Sequence, residues 1–428
     1  MVHHGAQRIY FKRLSPNDNS KNQVYLGGDF SALNIIPHGE IFTDDASVGG
    51  SVRDRGKASL DFFWIDEDGR HQAPNAGLIL YPKYPEVRLS GFLLGCRRAP
   101  SGIMTVRDEG RLLLLGITQT GAILGYAVSA GDPIALALSA GAWEAMGVFH
   151  EIPVNPSSRS SKAVLIDELR RIYQQQWVPS QKLGRGGIKQ PYAARNGGGY
   201  TLEAELGVQA NGNADPDFMG WEIKQYGVND FKNFRPKSPV TLMTPEPTGG
   251  IYKTSGVKDF LHKFGYADQS GKADRVNFGG RYDCLRSHHH LTGLRMLLSG
   301  YDEASGKITD LDGGLLLIGL NGEIAASWSF KNLMAHWNRK HAQAAYVPSL
   351  FRSPPPEYSF GAKILLCEQT DFLLFLKSFA SGQVYYDPAI KIENMSSKEA
   401  EVKRRSQFRV AHSDLTQLYV RHELISLI

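Results

Sequence analysis

The chain has 428 residues, 42% of them hydrophobic and 21% charged, a balance that excludes long disorder and leaves room for two hydrophobic cores, each serving roughly 150 to 250 residues. The formal charge of +5 favours a polyanionic partner without requiring one. Cys96, Cys284 and Cys367 lie far apart and form no CxxC pair, which argues against a disulfide framework or zinc ribbon and fits a reducing compartment. The stretch MVHHGAQRIYFKRLS has no apolar core of signal-peptide kind, and no run of about 18 apolar residues occurs anywhere, so a cytoplasmic protein is expected.

From Arg8 to about Ala142 short apolar runs (IYF, ASLDFFWID, GLILY, RLSGFLLG, RLLLLGI, AILGYAVSA, PIALALS) alternate with turn-forming breaks such as DEDGR, APSG, TQTG and SAGDP. The pattern predicts an all-β domain, a barrel or pseudobarrel, with no long amphipathic helix. NPSSRSSK, residues 155 to 162, reads as a linker. A helix should follow, with Leu165, Leu169, Ile172 and Tyr173 on one face, Asp167, Arg170 and Arg171 on the other, and Pro179 closing it. From about Ser180 the texture is mixed α and β, with strand-like GLLLIGL and AKILLCE and helices near 329 to 341 and 371 to 379. The expected division is residues 1–155 as an N-terminal domain, 156–180 as linker and helix, and 181–428 as a second domain.

The segment TLEAELGVQANGNADPDFMGWEIKQYG, residues 201 to 227, carries the chemistry. In a strand Glu222 and Lys224 share a face while Ile223 points into the core. Asp217, set on Pro216 and a turn, can return its carboxylate toward Glu222. Magnesium takes hard oxygen ligands and keeps several waters, so two carboxylates, the Ile223 carbonyl and waters suffice. An ammonium beside the metal, from Lys224, would orient the attacking water and offset charge growing on a phosphate. Glu203, on a helix entering the site, is a further ligand, direct or through water, or a brace for Lys224; Glu205 should face away. D-x4-E-x-K alone also fits a solvated strand with a surface ion pair. Helix, turn and strand together complete the arrangement called PD-(D/E)xK.

Other motifs are weaker. GRGG and NGGG lack the GK[ST] ending of a nucleotide loop and read either as tight loops approaching a DNA backbone or simply as turns. His288, His289 and His290 alternate faces on a strand and cannot all bind one ion; partial burial, or base or phosphate contact with Arg286, is the expectation.

The ordered set TLE, NGNADPDFMGWEIK, PVTLMTPEP, SWSFKNLMAHWNRKHAQAAYV and SQFRV resembles the MvaI/BcnI family of type II restriction endonucleases, itself related to the mismatch-repair nickase MutH. The resemblance implies an α/β fold in residues 181–428, magnesium-dependent cutting of both strands of a short site by a monomer, and catalytic roles for Glu203, Asp217, Glu222 and Lys224. It further implies base reading by IKIEN and KRRSQFRVA through Lys391, Arg404, Arg405, Gln407 and Arg409, against which a solvated basic face is the plainer alternative. IYFKRLSPNDNSKNQV and YPKYPEVRLSGFL are similar to the B3-like effector-binding domain of EcoRII and to arm segments of B3-type domains. That likeness implies DNA contact by Lys12, Arg13, Asn17, Asn22, Gln23, Lys83, Glu86 and Arg88. A B3-like domain joined to an MvaI-like nuclease resembles type IIE restriction enzymes, which implies a CCWGG target cut by the second domain, another copy bound as effector by the first, and a cognate cytosine methyltransferase encoded nearby. A MutH-like repair nickase and a catalytically silent DNA-binding regulator are the competing readings.

Overall fold

The computed structural model describes residues 1–16, 23–44, 55–143, 145–154, 160–194, 196–209, 216–397 and 399–428. Asn17 and Asn22 lie outside these residues. The chain divides into two compact units, Met1–Glu168 with Asn338–Ala342, and Leu169–Trp337 with Gln343–Ile428. None of the described helices is long and apolar enough to cross a membrane.

The first unit is mostly strands. One sheet runs Ala145–Met146, Phe149–Ile152, Ala6–Arg13, Leu112–Thr118, Ile123–Val128, Phe62–Asp66, Gly69–Gln72, and a second runs Gln23–Tyr25, Glu86–Ser90, Gly77–Tyr81, Gly56–Ser59, Phe42–Thr43. Neither closes into a barrel among the described residues. Phe11, Leu112, Leu114 and Val128 pack with Ala135 and Leu138 in one core cluster, and Ala6, Ile9, Ile65 and Leu124 form another. The run PIALALS departs from the all-β expectation: Pro133–Ala140 is a helix. Asp132 accepts a hydrogen bond from the Ile134 N–H at 2.8 Å and Pro133 takes the first helical position, so the capping chemistry selects helix over strand. Ala135 and Leu138, three apart, are then the buried pair.

The second unit is built on a mixed sheet. Val178–Pro179, Glu357–Phe360, Gln343–Arg352, Lys363–Thr370 and Tyr419–Ser426 follow one another antiparallel, and Glu222–Gly227 joins Gln343–Arg352 in parallel. The small residues Ala344 and Ala345 sit opposite Glu222 and Ile223. A further sheet orders Val240–Met243, Phe408–Val410 and Val384–Tyr386, and another orders Tyr266–Ala267, Arg275–Gly279, Ala389–Glu393 and Glu401–Lys403. Helix Ser161–Gln174 buries Leu165, Leu169 and Ile172 and ends before Gln176, whose φ is 64°. Helices Phe330–His341 and Phe372–Ala380 occupy the two expected stretches, the latter capped by Asp371 at 2.7 Å from the Leu373 N–H.

Burial on this sheet sets a clear contrast for stability. Leu366 is fully enclosed, whereas Leu424 on the neighbouring strand is 66% exposed. Leu366→Ala should lower unfolding stability by about 2–5 kcal/mol, and Leu424→Ala by less than about 0.5 kcal/mol, as read from urea denaturation of the full chain.

Candidate nuclease site

Three local devices assemble the site. The first is a hairpin turn: Phe218 and Trp221 exchange backbone hydrogen bonds at 2.9 and 2.8 Å, with Met219 and Gly220 between them at φ of 48° and 89°. Two-residue turns with both central φ values positive match the twist of paired strands, and fully buried Trp221 anchors this one. The turn folds residue 217 back along residues 222 and 223, where Asp217 Oδ2 accepts the Ile223 N–H at 2.9 Å. Among the described residues Glu222–Gly227 pairs with another strand on one side only, and the aspartate serves its other edge.

The second device is the strand itself. Glu222 and Lys224 emerge on one face, and Lys224 Nζ lies 2.6 Å from Glu222 Oε1. The glutamate side chain is 2% exposed and that of the lysine 22%, so the carboxylate is enclosed while the ammonium has access to solvent. Two residues on, the Tyr226 phenol is pushed up to about 12 by burial and its ring lies 4.3 Å from that of His412. Tyr346, in register with Lys224, shares a 3.0 Å hydroxyl contact with Tyr419. Burial first, and the Glu222 charge among smaller causes, raise both phenols, so both remain neutral hydrogen-bonding groups.

The third device is helix Gly197–Glu205. NGGG is therefore not a loop or a turn, because its three glycines open this helix, and Asn196, Gly198 and Gly199 line the same cleft as Glu203. A Cβ on Gly198 would come within 2.7 Å of the Gln225 side chain, and one on Gly197 within 2.6 Å of Ser180 Oγ. Glycine lets the helix lie directly on the Glu222–Gly227 strand. Glu205 points away from the site into a cage of Lys189, Gln181, Gln175 and Arg171, and Thr201 Oγ1 accepts the Gln181 N–H at 3.1 Å. The helix is thereby locked to the Gln181–Leu183 and Lys189–Pro191 hairpin that carries GRGG.

Glu203, from the middle of this helix, lines a cleft of about 1160 Å³ together with Lys224, Gln225, Lys237, Arg405 and Arg409. Among the described residues no three or more His, Cys, Asp or Glu side chains gather at metal-binding spacing, so Glu203 does not join Asp217 and Glu222 in a three-carboxylate cluster. The donor set nonetheless suits a hard divalent cation, since two carboxylates and the Ile223 carbonyl with waters are enough for magnesium.

The basic residues of the C-terminal segment divide. Arg405 is exposed in the cleft and donates from Nε to Gln407 Oε1 at 3.2 Å. Gln407 is buried, and Thr241 Oγ1 also donates to its amide oxygen at 3.4 Å, so it braces Arg405 from below. Arg409 lines the cleft while donating to Asp387 Oδ2 at 2.7 Å and to the Pro239 carbonyl at 2.6 Å. Lys391 and Lys403 both bind Glu393 and hold its carboxyl down to about 2. Arg404 is exposed. Lys237 gave no local signal in the sequence; it reaches the cleft because its backbone N–H bonds the Gly227 carbonyl at 2.8 Å at the end of the central strand.

In the first unit Gln23, Glu86 and Arg88 come together. Arg88 bonds Glu86, donates to Gln23 Oε1 at 3.0 Å and lies over the Tyr81 ring. Lys83 is exposed nearby in sequence, and Arg13 is exposed beside His150 at 3.1 Å. Lys12 is buried, its ammonium donating to the Arg13 carbonyl at 3.2 Å and its pKa lowered by desolvation. His288, His289 and His290 form no metal group; the rings of His289 and His290 stack at 4.8 Å.

A model of the MvaI/BcnI restriction endonuclease family matches residues 166–419. Two solved structures resemble the chain: the restriction endonuclease MvaI in complex with its cognate DNA, 16% identical over 64% of this chain and 100% of that one with a TM-score of 0.46, and MvaI in the absence of DNA, 17% identical over 63% and 100% with a TM-score of 0.35. Comparison with curated proteins gives no match. Since the family match runs over more than half of its length, the chain belongs to the MvaI/BcnI restriction endonuclease family.

Proposed function

We propose that this site-specific DNA nuclease is a type II restriction endonuclease that hydrolyses both strands at a short sequence, with CCWGG as the target, and that Asp217, Glu222, Lys224 and Glu203 perform the chemistry. The observation that carries this reading is the return of the Asp217 carboxylate to the Ile223 N–H, beside the Glu222–Lys224 ion pair, whose lysine lines a cleft together with Glu203, Arg405 and Arg409.

In this reading Asp217, Glu222 and the Ile223 carbonyl would hold magnesium. When bound, that ion activates water and offsets charge on the scissile phosphate. Lys224 turns its ammonium from Glu222 toward the cleft, where it orients the attacking water and stabilises charge on the phosphate oxygens. Glu222 keeps the ammonium in place. Glu203, standing apart from the two ligands, acts through water on Lys224 or on the phosphate. Arg405 and Lys237 neutralise phosphates along the cleft, and the exposed Arg404 extends this surface. Lys391 and Arg409 form the base-reading set, and Gln407 braces Arg405.

The strand-rich N-terminal unit is read as a B3-like domain that binds a second copy of the target as effector, which makes the enzyme type IIE. Gln23, Glu86 and Arg88 form its reading cluster, while Arg13 and Lys83 contact phosphate; Lys12 supports the strand from within. The enzyme acts as a cytoplasmic monomer, and a cognate cytosine methyltransferase protects the host genome.

Purified protein with magnesium should convert supercoiled plasmid to linear DNA. Asp217→Ala and Lys224→Ala should each slow cleavage at least about a hundredfold while DNA binding persists. Unaltered rates in both variants would remove these residues from the chemistry, and product that stops at nicked circles would indicate a nickase. A plasmid with two target sites should be cut faster than one with a single site, and Arg88→Ala should abolish that difference without changing the single-site rate.

A further inference from the structure

A cluster in the C-terminal unit lies outside the residues given a role in the proposed function. Asp283, with 4% of its side chain exposed, gathers two arginines: its Oδ2 accepts from Arg281 Nε at 3.0 Å and lies 3.1 Å from Arg286 Nε. Its Oδ1 accepts the Leu285 N–H at 3.2 Å. Arg281 also donates from Nη2 to the Gly382 carbonyl at 2.9 Å and stacks on Tyr385, 4.0 Å from the ring centroid. Tyr385 is the strand partner of Arg409, which lines the cleft, so the cluster extends the basic wall of the site.

Two guanidiniums against one carboxylate leave a net positive charge. Exposed ion pairs stabilise a fold by only about 0–1 kcal/mol, so stability is a poor reason for an enclosed carboxylate to hold two exposed arginines. Its effect is to fix the plane of Arg281 through a hydrogen bond and to hold the Arg286 guanidinium beside it by charge. Arg286 meets Asp283 through Nε, and its two terminal nitrogens have no hydrogen-bonding partner among the described residues. Its side chain is 57% exposed, beside Leu285, which is 73% exposed. An exposed guanidinium held at Nε, with its terminal nitrogens unbonded by the described residues, can meet the paired N7 and O6 acceptors that guanine shows in the major groove. The adjacent leucine offers apolar surface to a base methyl group.

We infer that Arg286, held by Asp283 beside Arg281, reads a guanine of the bound DNA. Arg286 is thus a specificity-determining residue, and Asp283 and Arg281 are its positioning residues. The assignment rests on the proposed DNA-cutting function and adds to its base-reading set.

The test is selection by binding from a randomised duplex library without divalent metal, with the bound fraction sequenced. The wild type should enrich one guanine-containing motif. Arg286→Ala and Arg286→Lys should each lose preference for guanine at a single position by about tenfold to a hundredfold, with unfolding midpoints unchanged. The lysine variant should keep its affinity for unrelated duplex, because charge survives and the fork does not. Asp283→Asn should weaken the same preference partly. Uniform weakening over all sequences with a shallower salt dependence would mark Arg286 as a phosphate contact and overturn the inference, as would an unchanged motif in both Arg286 variants. A wild type that enriches no motif would overturn the site-specific DNA reading together with this assignment.

Discussion

The site depends on the enclosed carboxylate of Glu222 and the cation that faces it. Glu222 is almost wholly removed from water, and the ammonium of Lys224 at 2.6 Å offsets the cost of burying it. Removing one partner of such a pair typically costs about 3–5 kcal/mol, whereas apolar replacements of both are often tolerated. The pair is therefore weak evidence for a stability role. It makes sense as a device that keeps an anion and a cation at fixed positions, the cation facing the cleft.

Everything around the pair serves that placement. Ala344 and Ala345 stand opposite Glu222 and Ile223 on the paired strand, and Gly197 and Gly198 let the overlying helix approach the strand. The turn at Met219 and Gly220 brings Asp217 back without lengthening the strand. Glu205 is the counterweight: its cage fixes the helix from the far side, so that Glu203, two residues away, faces the cleft from a rigid support.

Much of this was legible because the signals are local. The alternation around Glu222, Ile223 and Lys224 announces one strand with two faces, and the spacing of Leu165, Leu169 and Ile172 announces one helix. Where sequence reasoning went astray, a neighbour or a single cap decided the outcome. Pro133–Ala140 carries apolar residues that suit a strand, but Asp132 and Pro133 start a helix. The glycines of NGGG suggested a loop, yet they answer to Gln225 and Ser180, residues that no local window connects to them. Lys12 and Gln407 look like DNA contacts by type, and burial is what sets them apart from Arg13 and Arg405. Arg286 stood out only as a neighbour of the histidines, and Asp283 and Arg281 escaped notice, because the value of the cluster lies in Tyr385 and Gly382, about a hundred residues further on.

The central claim is that Asp217 and Glu222 hold one divalent cation while Lys224 stands beside it. Titration of manganese into the protein bound to uncleavable duplex, followed by electron paramagnetic resonance, tests this most directly. A bound ion should appear in the wild type, be lost in both Asp217→Asn and Glu222→Gln, and be kept in Lys224→Gln. Equal manganese affinity in the wild type and both carboxylate variants would contradict the claim.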